Sequence, residues 1–133
     1  MAALTDSPAI SQALDVLRER GVEAGYKSPD VIVSLGGCIE ACGTARKGAF
    51  RRRAHAHSDS RDLYRWTICV LSGDESRLVT ATGRPTALFC HEYAHLLTPS
   101  DWHGERWGRA VAALGAPNEY KRLVKIGTRK YRK

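Results

Sequence analysis

The sequence predicts an α+β domain, three helices packed on a small antiparallel sheet, and three observations predict it. Apolar residues recur at helical spacing near both ends of the chain. Two runs rich in β-branched residues, closed by glycines, lie between them. A His-Glu-x-x-His run follows the second of these, inside a stretch that also reads as helix.

The first helix is expected after Ser7-Pro8, a good cap and first-turn pair, with Ile10, Ala13, Leu14 and Leu17 on one face before Gly21. Val31 to Leu35 reads as a strand between Pro29-Asp30 and Gly36-Gly37, and Cys42 to Arg53 as a second, irregular one. The polar stretch from His55 to Asp62 has no apolar period and is expected to be an exposed loop or hairpin tip. Arg65 to Ser72, closed by Gly73-Asp74, is the clearest strand, and the antiparallel sheet is placed there.

Pro85 suits the first turn of a second helix through Leu88, His91, His95 and Leu96, which must stop near Thr98 because Pro99 restricts its predecessor. Trp107, Ala110, Val111 and Leu114 predict a third helix, ended by Gly115 with Pro117 beyond. The boundaries drawn are a domain over residues 1–118 and a loosely ordered basic tail over 119–133.

At 133 residues, with 43% hydrophobic and 26% charged residues, the chain can bury one sizeable core, and neither disorder nor a fibrous class is suggested. The start Met1 to Asp6 lacks the features of a secretory signal and no eighteen apolar residues run together, so a soluble cytoplasmic protein with no membrane partner is expected. Cys38, Cys42, Cys69 and Cys90 are then expected as thiols. The net charge of +7 is concentrated in Arg46-Lys47, Arg51-Arg52-Arg53 and the tail. Arg51, Arg52, Arg53, Lys125, Arg129 and Lys130 are the candidate contacts to DNA or another polyanion, against a plain solvated basic surface.

Residues four apart on a helix differ by about 40° and 6 Å, so His91 and His95 project to one side, spaced to share one metal ion such as Zn²⁺. Glu92, turned about 100° away, suits a general base better than a ligand. Random placement of this composition yields such a run in roughly one case in a hundred, and the other reading is a satisfied pair of core histidines. His103 is the favoured third ligand, because a turn through Ser100-Asp101-Trp102 can swing it back. Asp101 and Glu105 compete as oxygen ligands or as carboxylates orienting an imidazole.

The run Cys90-His91-Glu92-Tyr93-Ala94-His95-Leu96-Leu97, followed by His103-Gly104-Glu105-Arg106-Trp107, resembles the SprT-like metallopeptidase family. Ala41 to Arg46 and Ile68 to Ser72 are similar to the family's strands ahead of its active helix, and the likeness spans most of residues 8 to 115. No four-cysteine zinc ribbon follows the motif. The resemblance implies a compact zincin-like α+β domain, with zinc on His91, His95 and His103 and Glu92 as base. It further implies cleavage of protein or peptide substrates, in some members at DNA.

Other residues carry competing readings. His55 and His57 fall on one side if the backbone is extended, which suits a second metal, although the neighbouring arginines favour a solvated basic loop. Cys38, Cys42 and Cys90 read as packing thiols, and a Cys90 nucleophile is disfavoured because it would compete for His91. Tyr93, Arg84, Arg106 and Tyr120 are the candidates to stabilise an oxyanion, and Trp107 is expected to pack the third helix on the second. Two rival functions remain open: a nucleic-acid-binding module with a purely structural zinc, and a regulatory peptidase dedicated to one partner.

Overall fold

A computed structural model describes residues 3–4, 7–27, 30–36, 54–59, 61, 63–101 and 103–122. Its strands are β1 (Ala3–Leu4), β2 (Ile32–Leu35), β3 (Ala54–Ala56) and β4 (Thr67–Val70). The helices are α1 (Pro8–Glu23), α2 (Ala87–Leu97) and α3 (Glu105–Ala113), followed by α4 over residues 117–122. The class is α+β, as the sequence predicts. No helix among the described residues is long and apolar enough to cross a membrane.

Ser7 caps α1 through its hydroxyl, which accepts from the Ile10 N–H, and Pro8 fills the first helical position where no N–H is needed. Ile10, Ala13 and Leu17 form its buried stripe. Gly21 is a buried member of that helix rather than its end. The stop comes at Gly25, where a φ of 91° lets the Tyr26 N–H return to the Gly21 carbonyl. Pro85 precedes α2 rather than filling its first turn, and Thr86 caps the helix, its hydroxyl accepting from the Phe89 N–H. The other end of α2 falls at Leu97, just ahead of Thr98-Pro99.

The sheet runs β1-β2-β4-β3 and is mixed, not wholly antiparallel: β2 pairs with β4 in parallel, and β1 and β3 join as antiparallel edges. A parallel pair needs a long crossover, and the segment from Gly36 to Trp66 is long enough to supply it. His55 to His57, expected as exposed loop, extend along β4 instead, with Ala54 before them. The signal was the alternation Ala54-His55-Ala56-His57, which has the period of a strand while carrying only alanine as its apolar residue.

Register separates the two faces of the sheet. Val33, Ile68, Val70 and Ala54 fall on one face and join Leu17, Phe89, Ala94, Trp107, Val111 and Leu114 in the core. Ser34, Thr67, Cys69, His55 and His57 fall on the other, and all but His55 are buried. The irregular strand over 42–53, Cys38, Cys42 and the candidate polyanion contacts Arg51, Arg52, Arg53, Lys125, Arg129 and Lys130 lie outside the described residues. α4 crosses the boundary drawn at residue 118, so residues 119–122 are ordered helix rather than loose tail.

Candidate metal centre

α2 presents His91 and His95 one turn apart, and their ring centroids lie 5.0 Å from each other. His103 reaches back over them from the turn after α2, with its backbone in the left-handed region at φ 52°. Such a conformation is sparsely populated by residues other than glycine and is retained where the surroundings impose it. The His103 Nε2 atom then lies 3.0 Å from His95 Nε2 and 3.1 Å from His91 Nε2. A ring nitrogen carries either one proton or one in-plane lone pair, so it cannot satisfy both neighbours by hydrogen bonding. A cation between the three nitrogens would take a lone pair from each. The three donor atoms lie within 4.8 Å of one another and could hold a metal ion.

Asp101 and Glu105, weighed as oxygen ligands, are used otherwise. Asp101 turns its carboxylate onto the start of α3, where Oδ2 accepts the Trp107 N–H at 2.8 Å. That carboxylate occupies the space a side chain at position 104 would need, which is why glycine follows His103. Glu105 is exposed on α3 and pairs with Arg109 across one turn at 3.8 Å.

Trp107, fully buried, forms the floor of the centre. Its indole stacks on His95 at 5.4 Å and meets His91 and His103 edge-on at 4.8 Å each, and its N–H donates to the His91 carbonyl. It therefore does more than pack α3 on α2, because it fixes the plane of all three imidazoles.

Glu119 was missed by sequence reasoning. It sits on α4, in the stretch assigned to the tail, and its carboxylate accepts from His91 Nδ1 at 3.2 Å. A proton held on Nδ1 leaves the Nε2 lone pair facing the other two histidines, the usual way a carboxylate sets the tautomer of a liganding imidazole. Arg122 holds the other carboxylate oxygen at 3.5 Å. Gly108 admits this arrangement: a methyl group there would stand 2.6 Å from the Tyr120 ring, which packs α4 onto α3. Spacing gives no hint of Glu119, which is 28 residues from His91.

The three histidines and Glu92 line a cleft of about 590 Å³ together with Ala54, His55 and Ala56 of β3 and Glu119 and Arg122 of α4. Glu92 is 5% exposed, a carboxylate held in the wall of the cleft beside the histidines. The four oxyanion candidates do not line it. Tyr93 is buried towards α1, Arg106 lines a separate hollow beyond Thr98, Tyr120 packs on Gly108, and Arg84 lies in the turn before α2. The cationic side chain that does line the cleft is Arg122. Burial pushes the Cys90 thiol up to about 11, and its Sγ donates to the Leu114 carbonyl at 3.6 Å, so it is a packing thiol and not a nucleophile at neutral pH.

A second group stands on the other face of the sheet. His55, His57 and Cys69 bring Nε2, Nε2 and Sγ within 4.8 Å of one another, and they too could hold a metal ion. His57 is buried rather than solvated beside the arginines. No protein-family model, curated protein or solved structure matches the chain.

Proposed function

We propose that this chain is a zinc-dependent metallopeptidase that hydrolyses peptide bonds, with His91, His95 and His103 as metal ligands and Glu92 as general base. The observation that carries the reading is the convergence of three imidazoles and a buried carboxylate on one open cleft. Three nitrogens about 2.0–2.1 Å from a tetrahedral zinc stand about 3.3 Å apart, close to the 3.0 and 3.1 Å spacings found. Among the described residues no fourth protein donor joins the trio, and the three histidines, His95 buried and His91 and His103 half-buried, line the cleft, which suits a catalytic rather than a closed structural site.

Zinc bound there would supply Lewis acidity, polarising a substrate carbonyl and acidifying water. The remaining steps belong to the chain. Glu92 takes a proton from the attacking water and returns it to the leaving amine nitrogen. Glu119 keeps His91 in its liganding tautomer, and Trp107 holds the imidazole planes. β3, an edge strand along the cleft, offers its outer backbone groups to an extended peptide. Arg122 is a donor available to the carbonyl oxygen as negative charge develops. The resemblance to SprT-like peptidases and the net charge of +7 support substrates held near nucleic acid.

The test is Glu92→Gln assayed on unstructured protein, with and without single- and double-stranded DNA. Metal content should be unchanged while cleavage falls by about 10²–10⁴-fold. Unchanged cleavage would remove Glu92 as base. Salt-dependent DNA binding with no hydrolysis by the wild type would instead favour a binding module with a structural metal.

A further inference from the structure

We infer that His55, His57 and Cys69 form a second metal site, for a thiophilic divalent cation of the zinc class, which ties the edge strand β3 to β4 beside the cleft. The register places the donors. His55 is directly opposite Cys69 in the antiparallel β3–β4 pair, so their side chains leave the sheet on the same side. His57 is two residues on, returned to that side by the strand period and held by its N–H on the Thr67 carbonyl at 2.8 Å. A slip of one residue would send the histidines to the core face and leave Cys69 behind.

The donor geometry is that of a metal site. His57 Nε2 lies 3.2 Å from His55 Nε2 and 3.4 Å from Cys69 Sγ, two contacts for a nitrogen with one lone pair or one proton. Around a tetrahedral zinc, with nitrogen at about 2.0–2.1 Å and sulfur at about 2.3 Å, those separations are about 3.3 and 3.5 Å. Two imidazoles and a thiolate suit zinc, cobalt or copper and not magnesium or calcium, which take oxygen. On binding, Cys69 gives its thiol proton to water and ligates as thiolate.

Burial supports the same conclusion. Cys69 is fully buried and His57 is 5% exposed, so the group sits where a bound ion is shielded from water, while His55 alone reaches the cleft. Among the described residues β3 has three residues and pairs with β4 alone, a short edge that a bound cation would strengthen. A cation shared between His55, His57 and Cys69 clamps the strand that walls the cleft. The site does not depend on the peptidase reading, since neither its ligands nor its test involve Glu92.

The experiment is a cobalt(II) titration of the whole metal-stripped chain, with bound metal counted by elemental analysis. Wild type should take two equivalents and show a sulfur-to-cobalt charge-transfer band in the near ultraviolet. Cys69→Ser should keep one equivalent and lose the band, and His103→Ala should keep one equivalent together with the band. Wild type that shows no sulfur-to-cobalt band, or two equivalents taken by Cys69→Ser, overturns the proposal, whereas a single equivalent with the band would count against the helical group alone. If Cys69→Ser does not fold, His55→Ala replaces it: the second equivalent should bind at least about tenfold more weakly, and unchanged binding refutes the site.

Discussion

The two groups of donors contain all five histidines of the chain, yet they are built in opposite ways. His91 and His95 are fixed by the pitch of one helix, and His103 by a strained turn eight residues on. His55, His57 and Cys69 are fixed by the pairing of two strands, with nothing local linking the cysteine to the histidines. The helical group faces an open cleft and is oriented from outside by Glu119 and Trp107. The sheet group is largely enclosed, with Cys69 and His57 buried. Openness suits turnover and enclosure suits holding a strand in place, so on the two proposed readings each use of a metal would fall to a different kind of element.

The largest expected effect comes from removing a corner of the helical group. His95→Ala should abolish cleavage and cost that group more metal affinity than the roughly 10–100-fold lost with an outer residue, while the sheet group keeps its ion. Elemental analysis after dialysis reads both at once. Loss of both ions would show that the two groups act as one unit, and the contrast drawn here would fail.

Next in size is Glu119→Ala, which frees His91 to take the other tautomer. Metal affinity at the helical group should fall by about 10–100-fold, read by competition with a chelating dye, with the sheet group unchanged. An unaltered affinity would make the carboxylate a bystander of α4.

The same contrast explains what could be read from sequence. His91, Glu92 and His95 were legible because a helix writes its geometry into spacing, and α1, α2, α3, β2 and β4 were legible from period and caps. Glu119 was not, since only the packing of α4 on Gly108 brings it to His91. Nor was Cys69, because its place beside the two histidines follows from the antiparallel register of β3 on β4, a long-range pairing that no local spacing writes. The pair His55 and His57 was half legible: the alternation was visible, but alanine is too weakly apolar for Ala54 and Ala56 to announce a core-facing strand. Trp107 was placed correctly in the core and its role under the imidazoles was missed, because the rings it contacts come from two other segments.

Gly108→Ala sharpens the comparison from the packing side. A methyl group 2.6 Å from the Tyr120 ring must push α4 outward, at a cost of about 1–3 kcal/mol in unfolding free energy. Because α4 carries Glu119, metal affinity at the helical group should weaken with stability, and the sheet group should not respond. Denaturant midpoints and metal titration on one preparation test both. A stability loss with full affinity at the helical group would mean that Glu119 follows His91 independently of α4.

The smallest effect concerns the approach to α2. Asp74 caps the turn Glu75–Arg77 by accepting the Ser76 N–H at 3.0 Å, and Thr86 then joins that turn to the helix through its hydroxyl on the Arg77 carbonyl. The Ser76 backbone N–H, and after it the Ser76 side chain, hold the Asp74 carboxyl below its ordinary value of 3.8. A folded pKa below the unfolded one means that the stabilisation is present above the unfolded value and is lost as pH falls through the folded one. Asp74→Asn keeps the cap but not the titration, so its urea midpoint should trail wild type near neutral pH and converge with it as pH falls through the lowered carboxyl value. A gap that persists in acid would mean that asparagine caps the turn less well, and that charge plays no part in how the chain enters the motif helix.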